Sequence, residues 1–192
     1  IHPHDPYVAR PEFFNLYQPD EIDMPETRIA YDDQDDFSKR LMDGMEASTK
    51  PATEDEIRNA RHAYYANVSY FDSKIGELVR TLDEIGELDN TIIIITADHG
   101  DMLGERDLWY KMNFFEHSGR VPLIMAGPGI AQGHLDTPCS LVDILPTMVD
   151  IAASTGTPKP VFGQPIDGRS LMPMATSGQG DGGDAIGEYC AE

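Results

Sequence analysis

The sequence predicts an α/β protein, a three-layer α/β/α sandwich around a mostly parallel central sheet. Three observations predict it. "TIIIIT" (91–96) is a short β-branched run, apolar on both faces, as in a buried strand covered by helices on each side. "VPLIMAGP" (121–128) is a second run of the same kind. A long amphipathic helical pattern precedes the first strand and a shorter one follows the second, so strands and helices alternate along the chain.

The elements can be justified in order. Residues 1–50 are loop-rich, because "IHPHDPYVARPEFFNLYQPDEIDMPETR" carries five prolines that interrupt regular structure. "DDQDDF" (32–37) reads as a solvated acidic loop. Thr53 followed by Glu56 makes a capping box, and Glu54 and Asp55 suit the positive end of a helix dipole. Ile57, Ala60, Tyr64, Val68, Phe71, Ile75, Leu78, Leu82 and Ile85 then recur at steps of three and four. A helix over 54–85 would be about 48 Å long, with room for a kink, and Gly86 would end it. "CSLVDILPTMVDIAAST" (139–155) turns helical near Pro146, which is tolerated only in a first turn. The Gly- and Pro-rich stretches after 155 read as a long loop, then a mobile one, and "AIGEYCAE" could begin another strand.

With 192 residues the chain can bury a sizeable core. Its 34 acidic and 14 basic residues leave a formal net charge of −20. Long-range repulsion therefore opposes nucleic acid and anionic membrane surfaces as partners, and most of the acids are expected to be solvated surface. Cys139 and Cys190 form no metal or redox motif and are expected as two reduced thiols. No apolar run approaches the roughly 18–20 residues that cross a bilayer. A cytoplasmic location is expected, although the chain opens on Ile1 rather than Met.

The candidate site begins where the first strand ends. Ligands of open α/β sheets bind beyond the carboxyl ends of the strands, and Asp98 and His99 stand there, with Gly100 letting the chain turn. A carboxylate beside an imidazole suits a metal ion; it also suits a solvated turn, and spacing alone leaves both open.

The neighbouring residues bear a family resemblance. "LDNTIIIITADHGDMLGE" resembles the metal-binding strand and loop of the sulfatases, in the alkaline phosphatase superfamily, and "RVPLIMAGPGI" resembles the strand that follows in that family. "SLVDILPTMVDIA", "DGRSLMP" and the helix "YYANVSYFDSKIGELVRTLDEIGELDNT" are similar to further family elements, so the resemblance covers nearly the whole chain. Within the family, "HPHDPYVAR" and "DHGDMLGERDLWYKMNFFEHSGRVPL" resemble the choline sulfatase and phosphonate monoester hydrolase branch, which has Asp-His where many arylsulfatases have Asp-Asn. "LWYKM" and "GEYCAE" favour choline sulfatase.

The resemblance implies an alkaline phosphatase/sulfatase-type sandwich, incomplete at its N-terminal side, with residues 1–175 part of the catalytic domain and 176–192 a mobile loop and the start of a C-terminal subdomain. It implies hydrolysis of a small sulfate ester, choline-O-sulfate first, and a homo-oligomer. One divalent cation is implied, calcium before manganese or magnesium, with Asp98 and His99 among its ligands. Lys111 matches the lysine that contacts sulfate, and His4 the histidine facing the leaving oxygen, with His2 a competing assignment. Glu188 matches a carboxylate set against the choline ammonium. His62, His117 and His134 are expected in structural or solvent-facing roles, and Arg120 paired with an acid.

One departure is large. Sulfatases carry a Cys/Ser-x-Pro-x-Arg motif whose Cys or Ser becomes the formylglycine nucleophile, and these residues contain no such motif. The early aspartate pair of the family's metal site is absent too. The chain is therefore expected to be the middle-to-late part of a sulfatase, inactive alone. The alternatives are a phosphonate or phosphodiester hydrolase of the same superfamily and a non-catalytic truncated fragment.

Overall fold

The structure, a computed structural model, describes residues 3–154, 156, 158–160, 163–180, 183–185 and 187. They fall into two compact units, one of residues 1–88 and 99–122, the other of 89–98 and 123–192.

The first unit is built on helices. α1 (Pro11–Phe14) is a single turn that packs on the long helix described below. α2 (Asp36–Gly44) lies in the region read as loop. Asp35 starts it: its carboxylate accepts the backbone N–H of Phe37 and Ser38 at 3.0 and 2.9 Å. Part of the acidic stretch is thus a helix cap rather than solvated loop. A helix this short shows too few periodic positions to stand out from its proline-rich surroundings.

α3 (Glu54–Glu84) matches its sequence pattern closely and runs unbroken. Thr53 and Glu56 form the reciprocal cap, with the Glu56 carboxylate accepting the Thr53 N–H at 2.8 Å. Gly86 follows at φ 74°, where a left-handed residue releases the chain. Only its N-terminal half is buried: Ile57, Arg61, His62, Ala63, Ala66 and Asn67 face inward, while Val68, Phe71, Leu78 and Ile85 of the apolar stripe are exposed. Phe14 stacks on His62 with ring centres 3.6 Å apart, and His62 Nε2 meets the Phe14 carbonyl at 2.9 Å, so His62 is structural as expected. A cluster of Met42, Ala47, Met102 and Leu108 forms the core beside it.

The second unit holds β1 (Ile93–Thr96) and β2 (Leu123–Ala126). They pair antiparallel, Ile93 opposite Ala126 and Thr96 opposite Leu123. This corrects the expected parallel arrangement. A parallel pair needs a crossover element packed on the sheet, but the connection contains a loop and one four-residue α-helix, α4 (Glu116–Gly119), and from residue 99 to 122 it belongs to the other unit. β1 is also half-buried along its length rather than fully buried. Of the sandwich, the described residues contain these two strands only.

α5 (Ile144–Ser154) starts two residues before Pro146, which therefore sits in its first turn. Asp143 and Thr147 tie this helix to the "DGRSL" turn. Asp143 accepts the N–H of Ser140 and of Arg169, both at 2.9 Å, and the Thr147 hydroxyl accepts the N–H of Leu171 at 2.9 Å. Gly168 passes so near the Val142 carbonyl that a Cβ there would lie 2.0 Å from the oxygen. α6 (Met172–Ser177), a short helix in the stretch read as loop, follows. Cys139 is half-buried, with its Sγ 3.5 Å from the Thr137 carbonyl. Cys190 and most of "AIGEYCAE" lie outside the described residues.

Candidate active site

Three of the residues singled out from the sequence meet in the first unit. Lys111 Nζ donates to His4 Nε2 at 2.5 Å. The His4 and His99 rings stand edge to face with centres 5.7 Å apart. Asp98 is the exposed residue just before His99, two beyond the end of β1. His2 and Glu188 lie outside the described residues.

Hydrogen bonding settles which nitrogen of each histidine carries a proton. His4 Nδ1 lies 2.9 Å from the Asp5 carbonyl, which can only accept, so Nδ1 donates and the Nε2 lone pair receives Lys111. His99 Nδ1 donates to the Gly100 carbonyl at 2.7 Å. In neutral His99 that bond puts the lone pair on Nε2, the form in which an imidazole binds a metal. Asp98 and His99 are of residue types, one hard oxygen and one nitrogen, that serve as metal ligands. They are a partial set: no group of three or more His, Cys, Asp or Glu that could hold a metal ion occurs among the described residues.

The loop from 98 to 112 is held in an unusual shape. Leu103, Arg106, Asp107, Tyr110 and Met112 all have φ between 45° and 73°, a region that costs non-glycine residues energy. Gly100 enters the loop under the 117–118 backbone: its N–H donates to the Ser118 carbonyl at 2.8 Å, and a Cβ would lie 2.1 Å from the His117 oxygen. A glycine is required there by contact, beyond the turn the sequence suggested.

Three acids that the sequence left among the solvated majority hold this loop. Glu105 is buried and accepts the N–H of Glu26 and Thr27 at 3.0 and 3.1 Å, with Arg61 at 3.7 Å. Asp107 accepts Arg28 Nε at 2.7 Å and the Ile29 N–H at 2.9 Å. Asp101 accepts the Tyr7 hydroxyl at 2.8 Å and the N–H of Leu103 and Tyr110 at 3.0 and 3.2 Å. Burial raises the Asp101 carboxyl above its ordinary range against the pull of these donors. Burial, then the Asp101 charge, raises the Tyr7 hydroxyl, which stays a donor. In the sequence, only the Asx-turn spacing of Asp101 and Leu103 hinted at this. His117 and His134 are exposed and Arg120 meets Glu116 at 3.5 Å, all as expected.

Residues 1–154 match the family model of the sulfatases. The chain belongs to the sulfatase family. This sulfatase chain is 48% identical over 193 residues to the choline-sulfatase of Rhizobium meliloti (strain 1021), a match taking in 100% of the chain and 37% of that protein. It is 42% identical over 125 residues to arylsulfatase K of Homo sapiens, covering 65% of the chain and 22% of that protein. Among solved structures it resembles the phosphonate monoester hydrolase SpPMH from Silicibacter pomeroyi, with a TM-score of 0.79 and 31% identity over 92% of the chain and 36% of that structure. The phosphonate monoester hydrolase of Agrobacterium radiobacter shares the fold, with a TM-score of 0.75 at 22% identity over 95% of the chain and 38% of that structure. The sulfatase chain therefore spans just over a third of the length of these three whole-chain relatives. No helix among its described residues is long and apolar enough to cross a membrane.

Proposed function

We propose that this chain carries the leaving-group side of an enzyme that hydrolyses a sulfuric ester, choline-O-sulfate first, to choline and sulfate. The contact of Lys111 Nζ with His4 Nε2, beside His99, carries the reading, because it sets two proton-bearing groups at one point from segments 107 residues apart. Whole-chain likeness to a choline-sulfatase supports the substrate.

In this reading the Lys111 ammonium contacts the sulfate oxygens, where charge builds as the ester bond breaks. One proton is held between Lys111 Nζ and His4 Nε2, within reach of the leaving alkoxide. His2 is the alternative donor. Asp98 and His99 would hold one divalent cation, calcium before manganese or magnesium, which would supply Lewis-acid polarisation of the ester and offset negative charge. The nucleophile is assigned to a formylglycine segment that these 192 residues do not contain, so they alone are proposed to turn over no sulfate ester. Glu188 is assigned, on the family resemblance, to the choline ammonium, which offers no hydrogen-bond donor and is held by charge. The intact protein is proposed to be a cytoplasmic homo-oligomer.

The phosphonate monoester hydrolases are the second reading, favoured by the likeness to SpPMH. The test is the intact protein's kcat/KM for choline-O-sulfate, an uncharged aryl sulfate and an aryl phosphonate monoester, with and without Glu188→Gln. The expected result is a preference for choline-O-sulfate, and a loss of about tenfold to a thousandfold on that substrate alone in the variant. A phosphonate preferred over both sulfates would select the second reading. Equal losses on both sulfates would remove Glu188 from the substrate site.

A further inference from the structure

We propose that Tyr7 and Asp101 form a positioning clasp that holds Lys111 against His4. The Tyr7 hydroxyl donates to the Asp101 carboxylate at 2.8 Å, joining two segments 94 residues apart. Tyr7 lies three residues after His4. Through its other oxygen the same carboxylate accepts the N–H of Tyr110, the residue before Lys111, at 3.2 Å. One side chain thus anchors both segments that supply the Lys111–His4 pair.

Such an anchor answers two needs. Lys111 follows Tyr110 at φ 62° and precedes Met112 at φ 73°, conformations that persist in non-glycine residues only where the surroundings impose them. The Lys111–His4 contact is also partly open to water, His4 keeping 43% of its side chain exposed, and an exposed polar pair holds one geometry poorly unless its backbones are fixed. The Tyr7 ring is itself set by its neighbours, with the Tyr64 and Trp109 rings each centred 6.3 Å away, so its hydroxyl is aimed by packing. Below Asp101, Met102 is fully buried and Leu103 donates to the same carboxylate, which roots the clasp in the core.

The catalytic consequence rests on the proposed function, since it assumes that Lys111 and His4 act on the ester; the clasp itself does not. The test is Tyr7→Phe, which keeps the ring and removes the hydroxyl, in the intact protein. Two readouts separate the two ideas. In 15N-histidine NMR the His4 Nε2 signal should move toward that of a water-exposed imidazole, and Asp101→Asn should move it the same way. In turnover of choline-O-sulfate, kcat should fall by about tenfold to a hundredfold, the scale of a misplaced catalytic group, with KM little changed. In a Lys111→Met background the same change should cost almost nothing further, because the group being positioned is gone. An unmoved His4 signal overturns the clasp, and so does an equal kcat loss in both backgrounds. If the parent protein hydrolyses no sulfate or phosphonate ester, the functional reading fails and the NMR result alone decides the clasp.

Discussion

Lys111 and Asp101 show how differently single residues disclose their roles. Lys111 was marked by the motif around it, and folding brings its ammonium to His4. Asp101 was one acid among 34, and only its three donors distinguish it. Lys111→Met keeps length and apolar stem but removes the charge. In the intact protein it should lower kcat for a sulfate ester by about 10²–10³, as loss of one preorganised donor to a developing oxyanion does. Steady-state kinetics on choline-O-sulfate check this; a rise in KM at constant kcat would mean that Lys111 binds ground state and transition state alike.

At the scale of elements, α3 and the loop after β1 are opposite cases. α3 was legible almost to the residue because a capping box, a three-four periodicity and a glycine stop are local signals that agree. The loop was legible as a turn at Gly100, but the reason for that glycine is the 117–118 backbone lying over it. Gly100→Ala would drive a methyl into the His117 carbonyl, and the chain cannot retreat without giving up the Gly100–Ser118 hydrogen bond. We expect a loss of about 1–3 kcal/mol, the range for an overpacked site, read as a lower urea midpoint at unchanged slope. A midpoint equal to the parent's would show that 117–118 yields freely. Since the loop carries Lys111, the variant should also disturb the His4 signal.

At the scale of the molecule, charge sets the response to acid. Burial alone would raise Asp23, but the Tyr65 hydroxyl and the Arg61 guanidinium hold it below the usual carboxylate range. The Ser38 backbone lowers Asp35, the Thr53 backbone lowers Glu56, and Lys74 and Lys159 lower Glu77 and Asp150. A carboxyl lowered on folding stabilises above its unfolded value, near 4, and loses that contribution as pH falls through its folded value. Asp101, raised by burial, has the opposite sign. Five against one, the net expectation is a urea midpoint that falls once pH drops below about 4. A midpoint that rose there would mean that relief of the −20 net charge outweighs the lost pairings. By itself the sequence determined the family, the course of α3, the position of β1 and β2 and the residue types of the site, because motifs, caps and periodicity are local along the chain. Strand direction, the burial of only half of α3 and the roles of Glu105, Asp107 and Asp101 were decided by the tertiary structure. Each depends on a partner tens of residues away, and a carboxylate reads the same in sequence whether it meets water or a buried backbone N–H.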